Sequence, residues 1–123
     1  MFTDFQQFDV AAHAYAHEGF TAYRGREDYA GRYIVGGLAT RTIPHGVPNY
    51  AALCLESVLD LALDASDLTA ETLGVWHEGG NAHLDLGDSY TIEYVALKVA
   101  RERGELAIWD RFARREIRVA NSL

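Results

Sequence analysis

The strongest constraint on this chain is a recurring order of element signals. Helix-start signals fall near residues 4, 48 and 91, and each helix pattern is followed by two short runs of strand-forming residues. Helices are predicted over Asp4–Glu18, Pro48–Asp64 and Ile92–Arg103. The strand pairs are predicted at Phe20–Arg24 with Arg32–Gly36, Leu73–His77 with Ala82–Leu86, and Glu105–Asp110 with Glu116–Val119. Helix–strand–strand three times over reads as an α+β fold, with the helices packed on one side of a mostly antiparallel sheet. The first strand of each unit ends aromatic then polar, at Tyr23-Arg24, Trp76-His77 and Trp109-Asp110. The repeat is one of pattern, because direct identity between units is poor. With 123 residues and no linker or composition break, residues 1–123 form a single α+β domain. Strands of this kind leave sheet edges, which invite homodimerisation.

Local chemistry sets the helix limits. Thr3 and Gln6 are spaced as a capping box, in which each side chain satisfies a backbone amide left open by the first turn. Phe5, Phe8, Ala12 and Tyr15 share one face of that helix and are the expected buried stripe, with Gly19 as its cap. Pro48 suits the first position of the second helix, whose amide needs no partner. Cys54, Leu55, Val58, Leu59, Leu61 and Ala62 mark that helix as the most buried. Asp60 and Asp64 form a like-charge i,i+4 pair on its outer side. In the third helix Thr91 is the expected cap, Ile92, Val95 and Val99 the stripe, and Gly104 the stop.

Charge is uneven along the chain. The total is 11 Lys+Arg against 18 Asp+Glu, a net charge of −7. Residues 42–97 hold Glu56, Asp60, Asp64, Asp67, Glu71, Glu78, Asp85, Asp88 and Glu93 and not one Lys or Arg. Such a block either serves solubility or meets a basic partner surface, such as that of a nucleic-acid-binding protein. Direct binding to nucleic acid is disfavoured, since it needs a basic footprint. Only Arg111, Arg114, Arg115 and Arg118 offer one. Arg111, Arg114 and Arg115 are placed in the last hairpin turn, as a self-association patch for the acidic block of a second copy. No apolar run approaches the ~20 residues that span a bilayer. The first residues lack the basic start of a secretory leader. A single cysteine, Cys54, fits a reducing cytoplasm.

The segment Leu73–Leu86 carries the sharpest local signal. Gly79-Gly80 suits a two-residue hairpin turn, because both positions accept positive φ. That turn pairs Val75 with Leu84 and Leu73 with Leu86 on one face, and Trp76 with His83 and Gly74 with Asp85 on the other. Trp76, Glu78, His83 and Asp85 then cluster on the face away from the helices. A tryptophan beside an imidazole and a carboxylate anchors a protein partner or binds a planar ligand. His13 and His17 stand at i,i+4, the spacing of two metal-ligating imidazoles, and His77, His83 and Asp85 form a second set. Neither matches a metalloenzyme signature, and no metal or cofactor is expected. Cys54 sits among Leu53, Leu55 and Val58 as an inert core thiol. No nucleophile elbow or phosphate loop occurs. Gly36-Gly37 ends a strand or relieves crowding.

Gly74-Val75-Trp76, His83-Leu84-Asp85, Glu105-Leu106-Ala107-Ile108-Trp109-Asp110 and Glu116-Ile117-Arg118-Val119 together resemble small uncharacterised acidic proteins of actinobacteria and their phages. The resemblance covers about residues 73–119 and implies a shared fold rather than an activity. Its size and acidity also resemble those of phage antirestriction and anti-CRISPR inhibitors, which block nucleic-acid-binding host machines. The expected function is a non-enzymatic protein-interaction module. It would act through Glu56, Asp60, Asp64, Trp76, Glu78, His83 and Asp85, as a phage-encoded inhibitor of a basic host defence protein. The alternatives are a small-molecule or metal-dependent enzyme built on Trp76, His83 and Asp85, and a self-assembling scaffold.

Overall fold

The computed structural model of the chain describes residues 1–119. Its elements are α1 (Asp4–Tyr15), β1 (Phe20–Tyr23), a 3-10 turn (Glu27–Tyr29), β2 (Tyr33–Pro44), α2 (Tyr50–Asp64), β3 (Thr72–Glu78), β4 (Asn81–Tyr90), α3 (Glu93–Arg103), β5 (Ala107–Asp110) and β6 (Arg115–Arg118). The fold is α+β, and helix–strand–strand recurs three times. All strand pairs are antiparallel, in one six-stranded sheet of order β1-β3-β4-β2-β5-β6. The recurrence does not extend to pairing. β3 with β4 and β5 with β6 are hairpins, but β1 and β2 are held apart with the β3–β4 hairpin between them.

The β3–β4 register is the one the glycine turn specifies. Val75 faces Leu84, Leu73 faces Leu86, Trp76 faces His83 and Gly74 faces Asp85. Gly79 and Gly80 both take positive φ, 60° and 78°. Alternation therefore sends Leu73, Val75, Leu84 and Leu86 into a core with Val10, Ala14, Cys54, Val58 and Leu61 of α1 and α2. A second core lies under α3, where Ala96, Leu97 and Ala100 meet Tyr33, Val35 and Ile108. The sheet edges β1 and β6 are four residues each, and β6 carries Arg115, Glu116 and Arg118. Short, charged edges discourage strand-to-strand pairing.

α1 turns the opposite way from the expectation, and α3 departs from it in part. Phe5, Phe8, Ala12 and Tyr15 of α1 face solvent, and Gln7, Val10, Ala11 and Ala14 are buried. At α3 Ile92, just before the helix, and Val95 are exposed, Val99 packs against the core as expected, and Ala96, Leu97 and Ala100 are buried. In both cases small residues point inward, so the helix backbone can approach its neighbours closely. In α2 Cys54, Val58, Leu61 and Ala62 are buried as expected, while Leu59 is exposed.

The helix ends also differ. The Thr3–Gln6 capping box is present. α1 stops at Tyr15 because His17 takes the left-handed conformation (φ 59°), and the Glu18 amide donates back to the His13 carbonyl. Gly19 is therefore not the cap. α2 starts at Tyr50 rather than Pro48, because Asn49 takes φ 64° and cannot continue a helix. Ile92, not Thr91, is the residue that precedes α3, while Gly104 (φ 74°) ends it as expected. β2 does not end at Gly36. It runs on to Pro44 through a bulge between Val35 and Ala39. The glycines do relieve crowding there: a Cβ on Gly36 would overlap the Asp85 carboxylate, and Gly37 takes φ 89°. Among the described residues no helix is long and apolar enough to cross a membrane.

Candidate functional site

The expected site residues fall into three places. The first is the β5–β6 turn, which an aspartate organises. Asp110 is 1% exposed. It accepts two hydrogen bonds from the Arg32 guanidinium (2.9 Å each) and two from the amides of Phe112 and Ala113 (3.1 Å each). The Arg32 bonds hold its carboxyl down, at a pKa of about 2. Arg111 of this turn is not available to a second copy. Its Nε donates to the Gly31 carbonyl at 2.8 Å and its Nη2 to the Ala30 carbonyl at 3.1 Å, and the guanidinium lies over Tyr23. It straps the turn to the loop after β1. Arg114 remains in the exposed turn, and Arg115 belongs to β6.

The second place is the sheet face turned away from α1 and α2. Trp76 and His83 stack there, with ring centroids 4.2 Å apart and planes 21° apart. Thr42 Oγ1 lies 3.3 Å from His83 Nδ1. Glu78 is exposed at the end of β3. Asp85 shares the strand position but not the cluster. Its Oδ1 accepts from the Gly37 amide at 2.6 Å, inside the β2 bulge. Burial pushes its carboxyl up to about 7, against the Gly37 bond; the nearby Glu105 carboxylate adds to the rise. On that face Trp76 thus contacts His83, and Asp85 contacts the Gly37 amide. Two shallow hollows lie beside Tyr23, Arg24, Tyr29 and Glu71, and beside Tyr90, Ile92 and Val95.

The histidines regroup in a way no spacing rule shows. His77 points to the opposite face from His83, because β3 alternates and its partner is Ala82. His13 stacks on Phe20 instead of joining His17. His17, His45 and His77 come together from three separate elements. His17 stacks on His45 at 3.9 Å, and His45 Nε2 shares a hydrogen bond with His77 Nδ1 at 2.9 Å. His77 Nε2 also lies 3.1 Å from the Glu18 carbonyl oxygen. Burial and the neighbouring imidazoles lower the His45 pKa. Tyr50 packs edge-on against His17 and His45. Only His45's position between Pro44 and Gly46 hints in the sequence at a loop placement. Among the described residues no group of three or more His, Cys, Asp or Glu is arranged to hold a metal ion. Cys54 is buried, and burial raises its thiol pKa, as an unreactive core cysteine requires.

The third place is the outer side of α2. Glu56, Asp60 and Asp64 are all exposed. Asp64 meets Arg41 at 3.6 Å, an exposed pair of small worth. Glu56 and Asp60 have no ion pair among the described residues. α1 beside it adds Asp4 and Asp9, and neither helix contains a Lys or Arg. The seven residues expected to bind one partner are thus split. Three carboxylates lie on the helix layer, three residues lie on the opposite sheet face, and Asp85 is engaged internally.

Compared with protein-family models, curated proteins and solved structures, the chain finds no match.

Proposed function

We propose that this protein is a non-enzymatic interaction module that docks a basic protein surface onto the helix layer formed by α1 and α2. One observation carries the reading. Two adjacent helices expose Asp4, Glu56, Asp60 and Asp64 and hold no Lys or Arg. Asp64 meets only the exposed Arg41, and together the four carboxylates generate a field that attracts cationic surfaces and repels phosphates. Nucleic-acid-handling proteins present such cationic surfaces, so they are the partner class that fits, as in inhibition of a host defence protein. The Trp76–His83 face is separate from this surface and is not part of the reading.

The test is a tagged pull-down at low and at physiological salt, run beside the triple variant Glu56→Lys, Asp60→Lys, Asp64→Lys. A stoichiometric basic partner should be retained by the native protein, released as salt rises, and lost by the triple variant. Equal retention by the variant would falsify the reading.

A further inference from the structure

We infer that His17, His45 and His77 form a proton-operated latch. With neutral rings it holds the turn after α1 and the loop before α2 against β3, and protons taken up by the rings open it. The three residues come from separate parts of the chain. His17 follows α1, His45 lies in the loop between β2 and α2, and His77 is in β3. Their ring centroids lie 3.9, 5.1 and 5.5 Å apart. His17 reaches its place through left-handed backbone, φ 59°, an uncommon conformation for a residue with a Cβ.

Hydrogen-bond chemistry defines the closed state. A carbonyl oxygen can only accept, so His77 donates through its Nε2–H to the Glu18 oxygen at 3.1 Å. Neutral His77 then keeps a lone pair on Nδ1, and His45 donates to it from Nε2 at 2.9 Å. One added proton fits, on His45 Nδ1, and leaves that bond intact. A second does not. On His77 Nδ1 it would set two N–H groups head-on, and on His17 it would stack cation on cation at 3.9 Å.

Nothing nearby offsets that repulsion. The groups facing the rings are the Glu18 carbonyl from the end of α1 and Tyr50 from α2, which lies edge-on to His17 and His45. The Tyr50 hydroxyl is committed to the Ala14 carbonyl at 2.6 Å. Glu18 and Glu78 are exposed, and among the described residues no carboxylate forms an ion pair with any of the three rings. Burial, then the imidazoles of His17, His77 and His83 of β4, lower the pKa of His45. The closed latch therefore binds fewer protons than the open one. Closure is favoured above the ordinary imidazole range and is lost as pH falls through it.

The test is amide hydrogen exchange of the whole chain by NMR, at about pH 7.5 and about pH 5, the range in which imidazoles titrate. Two amides report the latch directly: His45, which donates to the Gly80 carbonyl, and Glu18, which donates to the His13 carbonyl. Their protection factors should fall by about tenfold or more on acidification, while that of Leu84 in the core holds. His45→Gln keeps an N–H for His77 Nδ1 and takes up no proton, so it should remain protected at both pH values. If His45→Gln is already unprotected at the higher pH, His17→Asn decides. Asparagine suits the left-handed position and removes one charge, so opening should shift to lower pH. Equal protection at both pH values in the native protein would overturn the latch. So would an unaltered acid loss in His45→Gln or His17→Asn, or a loss at Leu84 in step with His45, which is global unfolding.

Discussion

At one end of the sheet α1 and α2 are held by aliphatic packing, and their carboxylates face water with only exposed or part-exposed partners, Arg41 for Asp64 and His13 for Asp9. At the other end α3, β5 and β6 are fastened by arginines. Arg103 reaches both oxygens of Asp88, at 2.9 and 3.0 Å, and the carbonyls of Val35 and Gly36. Arg32 grips Asp110, and Arg111 grips the loop carbonyls of Ala30 and Gly31. The same residue types therefore do different jobs. Where arginine is present, charge holds the fold. Where it is absent, carboxylates are free to meet a partner. Two aspartates condense the contrast: Asp110, with its arginine, has its carboxyl held at about 2, and Asp85, buried and without a direct arginine partner, is pushed up to about 7.

The largest effect belongs to the packed end. Leu84 is fully buried in the first core. Leu84→Ala should cost about 2–5 kcal/mol in urea unfolding, whatever the salt concentration. The clasped end should give the next largest loss, and one that depends on pH. Asp110 has a folded pKa of about 2, below its ordinary 3.8. Its contribution is complete above about pH 4 and is lost as pH falls toward 2. Asp110→Asn should destabilise the protein at neutral pH and remove that acid-limb slope. A mutant whose acid limb matches the native one would show that the clasp is idle.

Asp85 has the opposite sign. Its folded pKa is raised, so the folded state holds a proton that the unfolded chain gives up. Stability should therefore fall as pH rises from about 4 to 7, by at most about 1.4 kcal/mol per pH unit. Asp85→Asn keeps an acceptor for the Gly37 amide and should flatten that fall. An unchanged pH profile would mean that Asp85 ionises freely. The smallest stability effect is expected at Phe8. Phe8→Ser should leave the urea midpoint within about 0.5 kcal/mol of native, because the ring packs into no core. A loss above about 1 kcal/mol would make the α1 strip structural and blur the contrast between the two ends.

Much of this fold is legible wherever the signal is local. The capping box at Thr3 and Gln6 needs only neighbours. The Gly79-Gly80 turn fixes a whole hairpin register, because one turn type permits one pairing. The α1 face is not legible, since the helix has two candidate stripes. The larger, Phe5 to Tyr15, holds more apolar surface. The smaller, Val10, Ala11 and Ala14 with Gln7, lets α1 approach α2 and the sheet, and packing selects it. The site is less legible still. The acidic residues of α2 are visible in the sequence, but their separation from Trp76 depends on which side of the sheet the helices occupy. The His17–His45–His77 group depends on three elements meeting, and the strap made by Arg111 depends on the sheet curling toward the loop after β1.

The placement of the β3–β4 hairpin between β1 and β2 has a consequence for assembly. Among the described residues β1 pairs only with β3, and β2 must find β4 on one side and β5 on the other. Neither early strand has a place until the middle of the chain has been made. A nascent chain released up to α2 therefore carries two strands with no template, and the local hairpin is the natural nucleus. Pulse-labelled hydrogen exchange should find the amides of β3 and β4 protected before those of β1. The first strand to leave the ribosome is then among the last to be secured.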